Sequence, residues 1–171
     1  LDNTDKIKEF ITECHAMKLT VKPPNLNESD YHFTVNAQGE ILYGLGAIKG
    51  IGKGAVDIIL EQVRTKGPFS NLFDLCQRVD LRKVSRKVLE GLIGAGACDT
   101  WGVNRGILMT NIDKAVKSAE KLAQNAINGQ QSFFSLMNSS HVSTEEYYDE
   151  FGAWSSPVQL QAEKEKLGFY M

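Results

Sequence analysis

GLGAIKGIGKGAVDIILEQ, from Gly44 to Gln62, is the stretch that decides the fold. At its centre Gly50-Ile51-Gly52 separates two short segments with helical apolar spacing. Glycine lacks the Cβ that obstructs tight turns and close backbone approach. A helix starting at about Gly54 aims its unpaired N–H groups at whatever rests against the turn, and Lys49 and Lys53 stand beside it. Free amides at a helix start, flanked by lysines, favour a phosphate.

That layout is a helix-hairpin-helix, a module that grips the nucleic-acid backbone without reading bases. Rival readings of the glycines fail on spacing. A Walker loop requires Gly where Ala47 stands and Ser or Thr where Gly54 follows Lys53. A dinucleotide fingerprint requires a third glycine that neither Gly44/Gly46 nor Gly50/Gly52 has. The bland alternative is a tight turn between two core helices. Ile48, Ile51, Val56, Ile58 and Ile59 are core under both readings, so the binding claim rests on Lys49, Gly50, Ile51, Gly52, Lys53 and Gly54. A β-branched residue at Gly52 is expected to abolish binding by forcing a Cβ into the turn.

Charge supports the placement. Residues 1–43 carry 4 basic and 7 acidic side chains, residues 44–121 carry 13 and 8, and residues 122–171 carry 2 and 6. The net charge of −2 thus conceals a basic centre holding the hairpin, as phosphate binding requires. A solvated helical face would also carry such a modest excess. No apolar run approaches the ~20 residues of a membrane span, and Cys14, Cys76 and Cys98 read as reduced thiols of a cytoplasmic protein. His15, His32 and His141 share no ligand spacing with them, so no metal site is expected. The chain opens on Leu1 and closes on the apolar Gly168-Phe169-Tyr170-Met171, and reads as a piece of a longer protein.

Outward from the hairpin, periodicity predicts a first helix capped by Asn3 or Thr4 with Ile7, Phe10, Ile11, Cys14 and Met17 on one face. An extended piece follows at Leu19–Val21. Tyr31–Val35 and Glu40–Tyr43 read as two strands joined through Asn36–Gly39. Beyond the hairpin, helices are expected from Ala55 to about Thr65, after a Ser70 cap, and from Leu81 to Ile93. Gly94-Ala95-Gly96-Ala97 then gives a second glycine turn and a long helix from about Asn104 to Ile127. It reads either as a degenerate second hairpin with a weaker phosphate contact or as a Gly C-cap followed by a loop. Residues 128–156 lose periodicity and read as a flexible segment, and Ser156-Pro157 starts a last helix. The expected architecture is mainly α with a small β ribbon and a tandem helix-hairpin-helix: 1–43, 44–127, 128–156 and 157–171.

Taken together, these residues resemble the catalytic alpha subunit family of bacterial replicative DNA polymerase III. Asp2-Asn3-Thr4-Asp5-Lys6 through Val21-Lys22-Pro23-Pro24-Asn25-Leu26-Asn27-Glu28-Ser29 is similar to the end of that family's fingers region. YGLGAIKGIGKGAVDII, GPFSNLFDLCQRVD, VLEGLIGAGACDTWG and NRGILM match its hairpin region in order and spacing, and Glu163–Tyr170 resembles the lead-in to its OB domain. The resemblance implies duplex DNA, the sliding clamp (the beta subunit) and other replicase subunits as partners, with no membrane. It also implies that the carboxylates holding catalytic Mg lie in a palm absent from this stretch. Asp57, Asp74, Asp80, Asp99 and Asp113 match no palm motif, so no catalytic residue and no cofactor are expected here. Within Gln130-Gln131-Ser132-Phe133-Phe134, the resemblance assigns Gln130, Phe133 and Phe134 to the family's internal clamp-binding motif. Two other classes compete. A hairpin module of a repair glycosylase or ligase would need a catalytic Lys or Asp near Lys66 or Asp74; a protein-interaction module would use the hairpins only for packing.

Overall fold

Ile7 and Ile11, one helical turn apart, seat the first helix, α1 (Thr4–Ala16), on the rest of the chain. The computed structural model describes residues 4–127 and 148–170. The apolar face of α1 is narrower than its periodicity suggests: Phe10 and Met17 are 64% and 65% exposed. Three two-residue strands follow, β1 (Val21–Lys22), β2 (Thr34–Val35) and β3 (Ile41–Leu42). Their order is β1-β3-β2, with β1 parallel and β2 antiparallel to β3. The expected ribbon is therefore present as β2 and β3, and the extended piece after α1 adds a third strand. Asn36 shapes the turn, its Oδ1 accepting from the N–H groups of Gln38 and Glu40.

Six helices complete the described chain: α2 (Lys53–Lys66), α3 (Leu72–Arg78), α4 (Arg86–Gly94), α5 (Arg105–Thr110), α6 (Ile112–Ile127) and α7 (Ser156–Leu167), with 3₁₀ turns at Leu45–Ala47 and Asp99–Trp101. The protein is mainly α with a small sheet. The cap of α3 is Asn71 rather than Ser70, its side chain accepting from the Asp74 N–H. The helix expected from Leu81 starts only at Arg86, because Asp80 folds the chain ahead of it. Its Oδ1 accepts from the backbone and guanidinium N–H groups of Arg82. The long helix expected after Asn104 is broken at Asn111 into α5 and α6.

Asn111 belongs to a recurring device. Its amide donates to the Asp149 carbonyl at 3.1 Å and accepts from the Asp149 N–H at 3.0 Å. Asn104 makes the same two-way contact with Trp154, and Asn27 with Phe69. Each asparagine presents one acceptor and one donor to a distant backbone, imitating a rung of sheet where no strand exists. Tyr148 adds an anchor, its hydroxyl accepting from the Leu72 N–H at the start of α3 while its ring packs on Phe73. Residues 148–156 are thus docked on α3, α5 and α6, which corrects the reading of 128–156 as flexible over that portion.

Arg105 joins the chain end to the centre. Its guanidinium donates to both oxygens of Asp99, to Glu163 Oε1 at 2.7 Å and to the Gly94 carbonyl at 3.4 Å. Arg105 and Glu163 are both buried. One core cluster runs from Ile7 through Tyr43, Ile59, Leu92 and Leu108 to Leu167 and Phe169. Neither residue 43 nor residue 156 is therefore a boundary between separately packed units.

Replacing Asn111 by Ala removes both bonds to Asp149 and should cost about 1–2 kcal/mol of stability. Urea denaturation measures that loss. Native-state amide exchange should show selective deprotection at Asp149 with α4 unaffected.

Candidate nucleic-acid interface

The hairpin turn is built from Ile48 to Ile51. The Ile51 N–H donates to the Ile48 carbonyl, and Gly50 between them has φ +85°. A type II turn demands that conformation at its third residue, and glycine adopts it without strain. Ile51 points inward and is buried, whereas Lys49, Gly50, Gly52, Lys53 and Gly54 are exposed. Two contacts fix the turn from beneath. Ile51 lies against Gly91 of α4, where a Cβ would stand 3.4 Å from it, and the Lys49 N–H donates to the Lys166 carbonyl of α7 at 3.0 Å.

Gly52 is the N-cap of α2 and offers no side-chain cap, and the first turn of the helix holds no acidic residue. Among the described residues, the N–H groups of Gly50, Gly52, Lys53 and Gly54 have no hydrogen-bond partner. Four neighbouring donors on exposed residues, running from the turn into the first turn of a 14-residue helix, have no acceptor among the described residues. Such an array can hold an anion with its oxygens among the amides.

The role expected for Gly52 needs correction. Its φ of −83° suits any residue, and a Cβ there meets nothing within 4 Å. Gly54 is equally open. Side chains at these two positions would obstruct a ligand approaching the amides, not the protein. Within this stretch the protein itself constrains Gly50, by its φ, Gly44, where a Cβ would fall 2.6 Å from the His32 backbone, and Gly46, where it would run into the Tyr31 ring.

The second turn is a different object. Gly94, Ala95, Gly96 and Ala97 are all buried. The Ala97 N–H donates to the Leu92 carbonyl and the Gly96 N–H to the Ile93 carbonyl, with Gly96 at φ +84°. This is a Schellman closure of α4, so the C-cap reading of the sequence holds geometrically. A phosphate contact at Gly94–Ala97 is overturned, because the amides are committed internally and Arg105 covers Gly96.

Lys66 is exposed at the end of α2, and Asp74 accepts from Ser70 and Arg78 in a local cap, so the two form no catalytic constellation. Cys76 and Cys98 are buried, and burial pushes the Cys76 thiol up to about 12. No described helix is long and apolar enough to cross a membrane. Gln130, Phe133 and Phe134 lie outside the described residues. The pinning asparagines escaped the sequence reading, since single Asn residues carry no periodic signal.

Comparison with known proteins places residues 18–108 on the helix-hairpin-helix motif family. Over its whole length the chain is 43% identical to DNA polymerase III subunit alpha of Pasteurella multocida and 41% identical to those of Vibrio cholerae and Escherichia coli K12. It spans 15% of the length of each of these relatives.

Two substitutions separate what the turn needs from what a ligand needs. Gly50→Ala should lose roughly 1–2 kcal/mol of stability through its left-handed backbone. Gly54→Ala should be neutral or gain up to about 1 kcal/mol from helix propensity. Paired urea unfolding curves of the two variants measure the contrast.

Proposed function

Because the chain belongs to the helix-hairpin-helix family, we propose that it grips the backbone of duplex DNA through the Gly50–Gly54 turn, as a non-catalytic portion of a bacterial replicative polymerase. The observation that carries this reading is the set of four exposed, unpartnered amides at the start of α2. Phosphate oxygens are the acceptors such a set accommodates, and backbone donors cannot distinguish bases, so binding is independent of sequence. Likeness along the whole chain to DNA polymerase III subunit alpha supports duplex DNA as the source of the phosphates. With ~2–4 phosphates held, log affinity should fall against log salt with a slope of about −2 to −4, from a Kd of roughly 10⁻⁴ to 10⁻⁶ M.

A polymerase also needs to stay on its template, and we assign the second contact, to the sliding clamp, to Gln130, Phe133 and Phe134. The order of these residues, Gln first and Phe fifth, supports it, as does their position after α6. Gln130 can donate and accept in a small polar pocket while the two rings enter an apolar one. At about 25 cal/mol per Å² and ~150 Å² per ring, less the cost of ordering the peptide, the net affinity falls near micromolar.

Gly54→Asp tests the DNA contact. An acid in the first turn stabilises a helix by about 0.3–1 kcal/mol yet repels a phosphate. The variant should unfold at higher urea and bind duplex at least ~10-fold more weakly. Unchanged binding, or preference for one duplex sequence, overturns the mechanism. For the clamp, calorimetric titration should show Phe134→Ala losing more than ~2 kcal/mol with DNA binding intact. Equal affinities overturn that assignment.

A further inference from the structure

The cations around the turn differ in how they are engaged. The Lys53 ammonium donates to both carboxylate oxygens of Asp57, at 3.0 and 2.8 Å, one turn along α2. Its hydrogen bonds to Asp57 raise the Lys53 pKa. Arg82 is bound to Asp80, Arg86 to Glu90 and Asp113, and Lys166 to Glu165. Lys49 and Lys87 have no ion pair among the described residues.

Lys87 is distant in sequence from the hairpin, yet α4 brings it there. Lys87 and Gly91 are four residues apart and lie on one face of that helix. Gly91 receives Ile51, and this contact turns the same face toward Gly50. The Lys87 side chain then runs across the turn, with its Cε 3.9 Å from where a Gly50 Cβ would stand. Lys87 is exposed, so its ammonium can move to an oxygen held by the neighbouring amides.

We propose that Lys87, delivered across the Gly50 turn by α4, is a side-chain cation of the phosphate site, and that Lys53 is not, because Asp57 holds it along α2. The proposal rests on the reading of Gly50–Gly54 as a phosphate grip. It makes α4 a functional part of the first hairpin and explains why the hairpin must be seated on Gly91. A lysine on a flexible stem suits the task, since it acts as a point charge and adapts to the phosphate it meets.

The test is fluorescence-anisotropy titration of a short mixed-sequence duplex with the 171-residue chain over a range of salt. Lys87→Gln should weaken low-salt binding about 3–10-fold and reduce the salt slope by about 0.9, the loss of one phosphate contact. Lys87→Arg should retain both, and Lys53→Gln should change neither by more than about twofold. Unchanged affinity and slope in Lys87→Gln, with binding still lost in Gly54→Asp, overturns the role of Lys87 and leaves the phosphate grip standing. A larger loss in Lys53→Gln than in Lys87→Gln overturns it equally. Failure of the unsubstituted chain to bind duplex at low salt overturns the grip and this proposal together. Circular dichroism of each variant separates unfolding from loss of contact.

Discussion

A single buried guanidinium sets the geometry on which the rest depends. Arg105 draws together the end of α4, the turn after it and α7, through Gly94, Asp99 and Glu163. Burial alone would lower the Arg105 pKa, but the hydrogen bonds to Asp99 and Glu163 outweigh it and raise it. Removing one partner from a buried pair of this kind costs about 3–5 kcal/mol, because the other charge is left without compensation. The consequence reaches the exposed turn. Glu163 positions α7, and α7 presents the Lys166 carbonyl that accepts from the Lys49 N–H. The exposed turn is therefore anchored by a buried ion pair of α5 and α7.

The turn carries two kinds of glycine constraint. Gly50 serves the protein, because its backbone conformation excludes other residues at modest cost. Gly52 and Gly54 leave open space that the protein does not use. Open space beside unpartnered amides is what separates the first glycine turn from the second, which lacks it. Gly94–Ala97 shares the glycine–apolar–glycine pattern, yet its amides close α4 and its surface is covered. That pattern alone made the two turns look alike.

Much of the fold was legible because it rests on local rules. The start of α2, the antiparallel ribbon and the Pro157 helix start follow from glycine, strand alternation and proline, and each falls within about three residues of its expected place. What escaped depends on tertiary partners. Phe10 of α1 and Met17 just after it are exposed, since only the Ile7–Ile11 stripe is buried in the core. The long helix after Asn104 breaks because the Asn111 amide binds Asp149, 38 residues away. The docking of 148–156 was hidden for the same reason: polar residues that suggest a flexible segment are also the ones that let a backbone be held by asparagine.

The site was legible only in part, and for a related reason. Lys49 to Gly54 announce themselves through glycine and lysine spacing, which is a local signal. Lys87 enters through helix packing, 37 residues from Gly50, and Lys53 is diverted by a carboxylate four positions away. Sequence proximity to a turn is thus a poor guide to which charge serves it. An (i, i+4) pair with the lysine first contributes little to helix stability. Its larger effect here is on availability, because it holds along the helix a charge that would otherwise lie at the helix start. A charge from a different element, Lys87 of α4, then reaches the turn, and on the proposed reading the phosphate contact belongs to the packed pair α2 and α4 as well as to the hairpin.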